Sequence, residues 1–165
     1  MAIIKLLLSG KHAREHQLVA LIDEADIGLV VGHTWNAQRF KSADDRYYFY
    51  ASCKINGKNT LLHRFLTNAS IGQKVDHRDH NTLNDCRANL RVCTHAENMR
   101  NRVLNRNSTT GIKGVWFDRK KGNFRSAIRV DGRRISLGRF RTSELAGLAY
   151  RAAAIKYHGD FANFG

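Results

Sequence analysis

The 165-residue sequence has no proline, three cysteines, two methionines and two tryptophans, and only 14 acidic side chains against 28 Lys and Arg. Nothing in the sequence accounts for the missing proline. The cysteines (Cys53, Cys86, Cys93) are odd in number and form no C-x-x-C pair, which argues against a disulfide framework or a Cys-rich zinc site and for a reducing, cytosolic setting. No apolar run approaches the ~20 residues of a membrane span. The opening MAIIKLLLSGKH has too short an apolar stretch for a secretory signal. The shortage of acid leaves a net charge of +14 and a pI near 10.3, which favours a polyanionic partner, nucleic acid first and anionic membrane second.

Hydrophobic residues at 42% and charged residues at 25% describe an ordinary globular chain, long enough for one domain or two small ones. The charge is unevenly placed. Residues 102–165 carry 14 basic and 4 acidic side chains, a net of +10, while residues 1–60 and 61–101 each carry +2. The stretch Asn101 to Gly111 is polar, rich in Asn, Ser and Thr, and reads as a linker. The expected division is therefore 1–101, a linker at 102–110, and 111–165.

The first 60 residues read as strands and turns. Ile3–Leu8 and Gln17–Ile22 are short apolar runs, and Asp23 to Val31 suggests a helical turn. Asn56-Gly57 joins Tyr47–Lys54 to a return strand at Thr60–His63 as a hairpin. Thr94-His95-Ala96-Glu97 fits a capping box opening a short helix from about His95 to Asn101. In the last third, strands are expected at Lys113–Asp118, Phe124–Val130 and Arg133–Gly138, with an Asp131-Gly132 turn. Thr142 or Ser143 then caps a helix ended by Gly159, whose buried face is expected to comprise Leu145, Ala146, Ala149, Tyr150, Ala153 and Tyr157. The fold class is α+β.

Asp76-His77 precedes a polar loop; Asn89 follows twelve residues after His77, and Asn98 lies on the capped helix. A carboxylate and an amide oxygen suit a hard cation such as Mg²⁺, and a neighbouring His can take a proton from an attacking water. That combination suits phosphodiester cleavage. The run HR…VDHRDHNTLND…NLRVCTHAENMRN resembles the HNH endonucleases of phage and mobile-intron type, which have a ββα-metal core. The resemblance covers roughly residues 1–101, including Leu62-His63-Arg64. It implies Asp76 and Asn98 as metal ligands for Mg²⁺ or Mn²⁺, His77 as general base, Asn89 as loop brace, and His63 as a phosphate contact or a packed strand histidine. Arg78 and His80 depart from the family pattern, as does the polar insert KHAREHQ near the N-terminus.

The segment GIKGVWFDRKKGNFRSAIRVDGRRISLGRFRTSELAGLAYRAAAIKYHGDFANFG resembles an ethylene-response-factor (Apetala-two type) DNA-binding domain, through G-V-W, S-L-G-R-F, A-Y-R-A-A-A and H-G-D-F-A-N. The resemblance implies a three-stranded sheet packed on one helix, contacting DNA through Trp116, Arg119, Lys121, Arg125, Arg129, Arg134 and Arg139. Together the two resemblances imply a divalent-metal-dependent, strand-nicking, homing-type endonuclease acting on double-stranded DNA. It would be a monomer without a membrane or obligate protein partner, in the cytoplasm of a bacterial or phage-infected cell. The competing expectation is a non-catalytic DNA-binding regulator with a remnant HNH domain; an RNA-directed nuclease is a third.

Overall fold

The computed structural model describes residues 2–42, 45–104 and 107–164. It is a mixed α+β chain with small antiparallel sheets, and it divides into two compact units, Met1–Thr94 and His95–Gly165. No helix among the described residues is long and apolar enough to cross a membrane.

In the first unit, β1 (Ile3–Leu7) and β2 (Val19–Asp23) pair antiparallel around the short helix α1 (Lys11–His16). A 3₁₀ turn at Glu24–Asp26 and α2 (Ile27–Val30) follow, where a helical turn was expected. The sheet β3 (Asn36–Lys41), β4 (Tyr47–Ile55) and β5 (Lys58–Leu61) contains the Asn56-Gly57 turn, with Asn56 at φ 49° and Gly57 at φ 76°. The reading of 1–60 as strands and turns passes over α1, and β3 was not foreseen. Helix α3 (Leu62–Thr67) then leads to the strand pair β6 (Lys74–His77) and β7 (Leu90–Cys93). His63 therefore lies in the first turn of a helix, not on the return strand. Leu62 and Leu66, four apart and both buried, turn the chain helical because that spacing places both in the core.

That core gathers Ala20 and Ile22 of β2, Val30, Trp35, Ala51 and Cys53 of β4, and Leu62 and Leu66. Trp35 is 2% exposed, and its indole N–H donates to the Val30 carbonyl at 3.2 Å. All three cysteines are free and buried.

The second unit starts with α4 (His95–Arg100). Its last turn is tied to later residues: the Lys113 ammonium donates to the Arg100 carbonyl at 2.9 Å, Asn163 donates to the Asn101 carbonyl at 2.8 Å, and Arg100 pairs with Asp131 at 3.0 Å. These bonds explain why α4 groups with the C-terminal segment. Within the expected linker, residues 105–106 lie outside the described residues, and Thr110 donates to the Val115 carbonyl at 2.9 Å.

Strands β8 (Val115–Asp118), β9 (Asn123–Val130) and β10 (Arg133–Phe140) form a sheet in the order β10-β9-β8, with α5 (Ser143–His158) packed on it. Thr142 is the N-cap, accepting from the Leu145 N–H at 3.3 Å, and Gly159 is the C-cap. The buried face of α5 keeps Ala146, Tyr150 and Ala153 of the expected one, adds Gly147, Ala154 and His158, and leaves Leu145 (49%) and Tyr157 (37%) exposed. Tyr150 lies close against the start of the sheet: a Cβ on Gly114 would overlap Tyr150 Cδ2 and sit 2.7 Å from the Ala127 carbonyl, so only glycine fits at 114.

This contact gives a direct test. Gly114, at φ 71°, has neither the backbone freedom nor the space for a side chain, so Gly114→Ala should cost about 3 kcal/mol or more in urea unfolding. Gly122, at φ 62° with nothing within 4 Å of an added Cβ, is the control, and its alanine variant should lose only about 1 kcal/mol. Equal losses would show that backbone strain alone, not the Tyr150 contact, governs both positions.

Candidate functional site

In the first unit, β6 delivers Asp76 and His77, and both are buried. Asp76 stands directly opposite Arg91 on β7, whose guanidinium Nε donates to Asp76 Oδ2 at 3.1 Å while Nη2 makes a second, shorter bond to the same oxygen. His77 Nε2 lies 3.3 Å from Asp85 Oδ1. Its ring meets that of His63 edge to face, at 5.1 Å between centroids and 77° between planes. Tyr50 closes the group from β4, 5.4 Å from His63 and 6.1 Å from His77.

His63, His77 and Asp85 each offer one ligand atom within 4.8 Å of the others, and all three are buried. Asp85 has no exposed surface, and its Oδ2 has no hydrogen-bond partner. Burial raises the Asp85 pKa, against the lowering effect of the hydrogen bond and charge of His77. Burial, helped by the neighbouring charges of His77 and Arg64, lowers the His63 pKa to about 3, so that ring is neutral at physiological pH. Tyr50 is raised by burial, with Tyr48, Asp85 and Asp76 adding to it, which places both carboxylates within electrostatic reach of its hydroxyl.

Asn89 ties the β6–β7 loop together. Its Oδ1 accepts from the Asp79 N–H at 3.1 Å, and its Nδ2 donates to Asp79 Oδ1 at 2.9 Å and to the Asn84 carbonyl at 2.8 Å. Asp79 also accepts from Asn84 Nδ2 at 2.6 Å and from the Asn81 N–H at 2.9 Å. Burial works against ionisation of Asp79, but these bonds outweigh it and lower its pKa. The loop is gripped from outside as well. Leu21 of β2 donates to the Leu83 carbonyl at 2.7 Å and accepts from the Asp85 N–H at 2.8 Å. The Arg87 N–H donates to Asp23 at 2.7 Å, and its guanidinium forks onto Asp26 at 2.7–3.0 Å.

The structure thus brings His63 and His77 together, and Asn89 ties together the β6–β7 loop that follows His77. Asn98 lies on α4, in the second unit. Asp85, Tyr50, Asp79 and Arg91 were not singled out from sequence. The one signal was the position of Asp85 inside the motif run, eight residues after His77.

In the second unit, pairing assigns five of the seven expected DNA-contacting residues a face. Trp116 stands opposite Arg125, Arg125 opposite Arg139, and Arg129 opposite Arg134. Ile128, Val130, Ile135 and Leu137 pack toward α5, so these five residues share the other face. A bulge between Ser136 and Gly138 lets both Ile135 and Leu137 reach the helix without turning Arg139 inward. Arg134 stacks over Trp116 at 4.2 Å, Arg125 lies 5.8 Å from the same ring, and Arg125 also reaches Asp118 at 3.4 Å. Arg119 and Lys121 sit in the turn between β8 and β9.

Among known proteins, the chain is 30% identical over 93 residues to Protein 3.8 of Escherichia phage T7, an alignment covering 56% of this chain and 76% of that protein. It is 32% identical over 109 residues to an uncharacterized HNH endonuclease of Acanthamoeba polyphaga mimivirus, covering 61% of this chain. The chain spans 54% of that relative's length. No family model matches the chain, and no solved structure matches it.

The buried imidazole gives a pH test. Between pH 6.5 and about 3, unfolded His63 binds a proton that the folded ring refuses. Its contribution is complete above pH 6.5 and is lost as pH falls, by up to about 1.4 kcal/mol per pH unit within that window. Urea unfolding at pH 7 and pH 5 should show this loss, and His63→Asn should flatten it. An unchanged slope in the variant would place the titration elsewhere.

Proposed function

The chain belongs to the family of phage T7 Protein 3.8, and we propose that it is a divalent-metal-dependent HNH endonuclease that nicks double-stranded DNA. The observation that carries the reading is the buried His77–Asp85 pair next to Asp76, with His63 and Asn89 around it. The name of the mimivirus relative supports it. In this reading β6 and β7 supply the two strands of the ββα-metal core. Residues 1–101 form the nuclease part, residues 102–110 the linker and residues 111–165 an Apetala-two type targeting domain. The protein works as a monomer in the cytoplasm of an infected host.

Asp76 offers the hard carboxylate oxygen that Mg²⁺ or Mn²⁺ takes, whereas the buried His63, His77 and Asp85 group, with two imidazoles and one carboxylate, is left to proton transfer. Asp76 is the proposed ligand of the first unit for Mg²⁺ or Mn²⁺, with Arg91 holding its carboxylate in place. When bound, the ion stabilises the charge developing on the phosphate and the leaving oxygen. The rest falls to the side chains. Asp85 accepts from the His77 Nε2–H, which makes Nδ1 the basic nitrogen of that ring. His77 Nδ1 takes the proton of the attacking water, and Asp85 stabilises the imidazolium that forms. His63, held neutral by burial, adds no competing charge beside it. Asn89 keeps Asp85 in register by fixing residues 79 and 84.

A supercoiled-plasmid assay with Mg²⁺ tests the reading: the whole protein should convert plasmid to the open circle, and EDTA should stop it. His77→Ala should slow nicking by about two to four decades. Asp85→Asn should lower the rate without abolishing DNA binding. If His77→Ala nicks like the parent, His77 is not the base.

Targeting makes a separate expectation. Arg125, Arg129 and Arg134 share one sheet face with Trp116. Each one that neutralises a phosphate contributes about −0.9 to the slope of log affinity against log salt. Replacing any of them with alanine should flatten that slope or relax site choice. Unchanged slopes and cleavage sites for all three would assign targeting to the nuclease part.

A further inference from the structure

The polar insert KHAREHQ folds as α1 and takes no part in the site around His77. Its His12 and His16 are four residues apart, so their rings project from one side of the helix, 6.4 Å between centroids and 24° between planes. Glu15 lies between them. One ligand atom from each of His12, Glu15 and His16 falls within 4.8 Å of the other two. Both rings rest on Phe49 of β4, at 5.7 and 5.1 Å, which limits their rotation.

We propose that His12, Glu15 and His16 form a site for one divalent transition-metal ion of the zinc class. The strongest sign is His12 Nδ1, a buried nitrogen without a hydrogen bond among the described residues, which lies 3.5 Å from Glu15 Oε2. An ion between these atoms satisfies both. Packing on Phe49 explains the positions of the rings, but not an unsatisfied nitrogen facing a carboxylate. The other oxygen of Glu15 is 3.7 Å from the Lys11 ammonium, so the carboxylate keeps one oxygen for the metal.

Two nitrogens and one carboxylate oxygen match Zn²⁺, Co²⁺ or Ni²⁺ and are a poor set for Mg²⁺. Three protein ligands leave a position for water. The helix itself gains from such an ion. It has six residues, no side-chain cap and a single buried residue, Ala13, so its intrinsic stability is low. An ion bound by two of its turns stabilises the folded form by mass action, because the unfolded segment has no formed site. None of these residues is used in the proposed cleavage, so the two ideas stand or fall separately.

The test is calorimetric titration of the full-length protein with Zn²⁺ and, in parallel, visible absorption with Co²⁺. The parent, the double variant His12→Ala/His16→Ala, and the milder His16→Gln and Glu15→Gln are compared. The double variant should lose one equivalent of Zn²⁺, or more than about 100-fold in affinity at that step, and Glu15→Gln should lose about tenfold. Zn²⁺ should raise the melting temperature of the parent and, by less, that of His16→Gln. Mg²⁺-dependent plasmid nicking by Glu15→Gln should match the parent. The proposal is overturned if the parent takes up no Zn²⁺ at this step. It is equally overturned if His16→Gln and Glu15→Gln, both able to fold, bind as many equivalents as tightly as the parent does.

Discussion

Two backbone hydrogen bonds from Leu21, one to the Leu83 carbonyl at 2.7 Å and one from the Asp85 N–H at 2.8 Å, position the whole candidate site of the first unit. The chain between β6 and β7 is irregular, and an irregular segment has no ladder to fix its side chains. Here β2 supplies that ladder for three residues. The strand is itself fixed by its pairing with β1 and by Ala20 and Ile22 in the core. Asp23 and Asp26, just beyond it, hold Arg87 on the other side of the loop. The N-terminal strands thus act on the site through the backbone, and Asp85 reaches His77 because Leu21 is where it is.

Burying Asp85 without exposure is costly unless its charge has partners. His77 supplies one at 3.3 Å, while Oδ2 has none. Nearby, His63 escapes the same cost by staying neutral, its pKa held at about 3. Two buried imidazoles 5.1 Å apart could not both be charged cheaply. Arg64 adds to the burial that keeps His63 neutral, whereas His77 is the ring within 3.3 Å of Asp85 Oδ1.

The sequence showed much of this through local signals. Asn56-Gly57 and Asp131-Gly132 announced their turns because only a few residue types accept positive φ there, and Thr142 and Gly159 announced the ends of α5. His77 and Asn89 stood out by spacing. Asp85 and Tyr50 did not, because their nearness to His77 comes from β2 gripping the loop and from β4 lying under it, and neither contact leaves a local pattern. Helix α1 was missed since six residues with one buried alanine carry almost no periodicity. The error on α5 has a different cause. Periodicity placed Ala146, Tyr150 and Ala153 correctly but not the margins of the face, where Gly147, Ala154 and His158 are buried and Leu145 and Tyr157 are exposed.

The sheet of the second unit shows how one short element carries two opposed demands. Alternation along β9 sends Ser126, Ile128 and Val130 toward α5, and Arg125 and Arg129 the other way. The bulge on β10 preserves that division across the strand pair, since the register recovers at Gly138 with Arg139 still opposite Arg125. Like charges facing one another across strands repel, which by itself would destabilise the sheet. Two features offset it: Trp116 offers its ring face to Arg134 and Arg125, and Asp118 takes one Arg125 nitrogen. The same contacts restrict the arginine rotamers before any partner arrives. A polyanion meeting this face therefore has less side-chain freedom to remove, so more of the Coulomb attraction from the +10 charge of residues 102–165 remains as affinity.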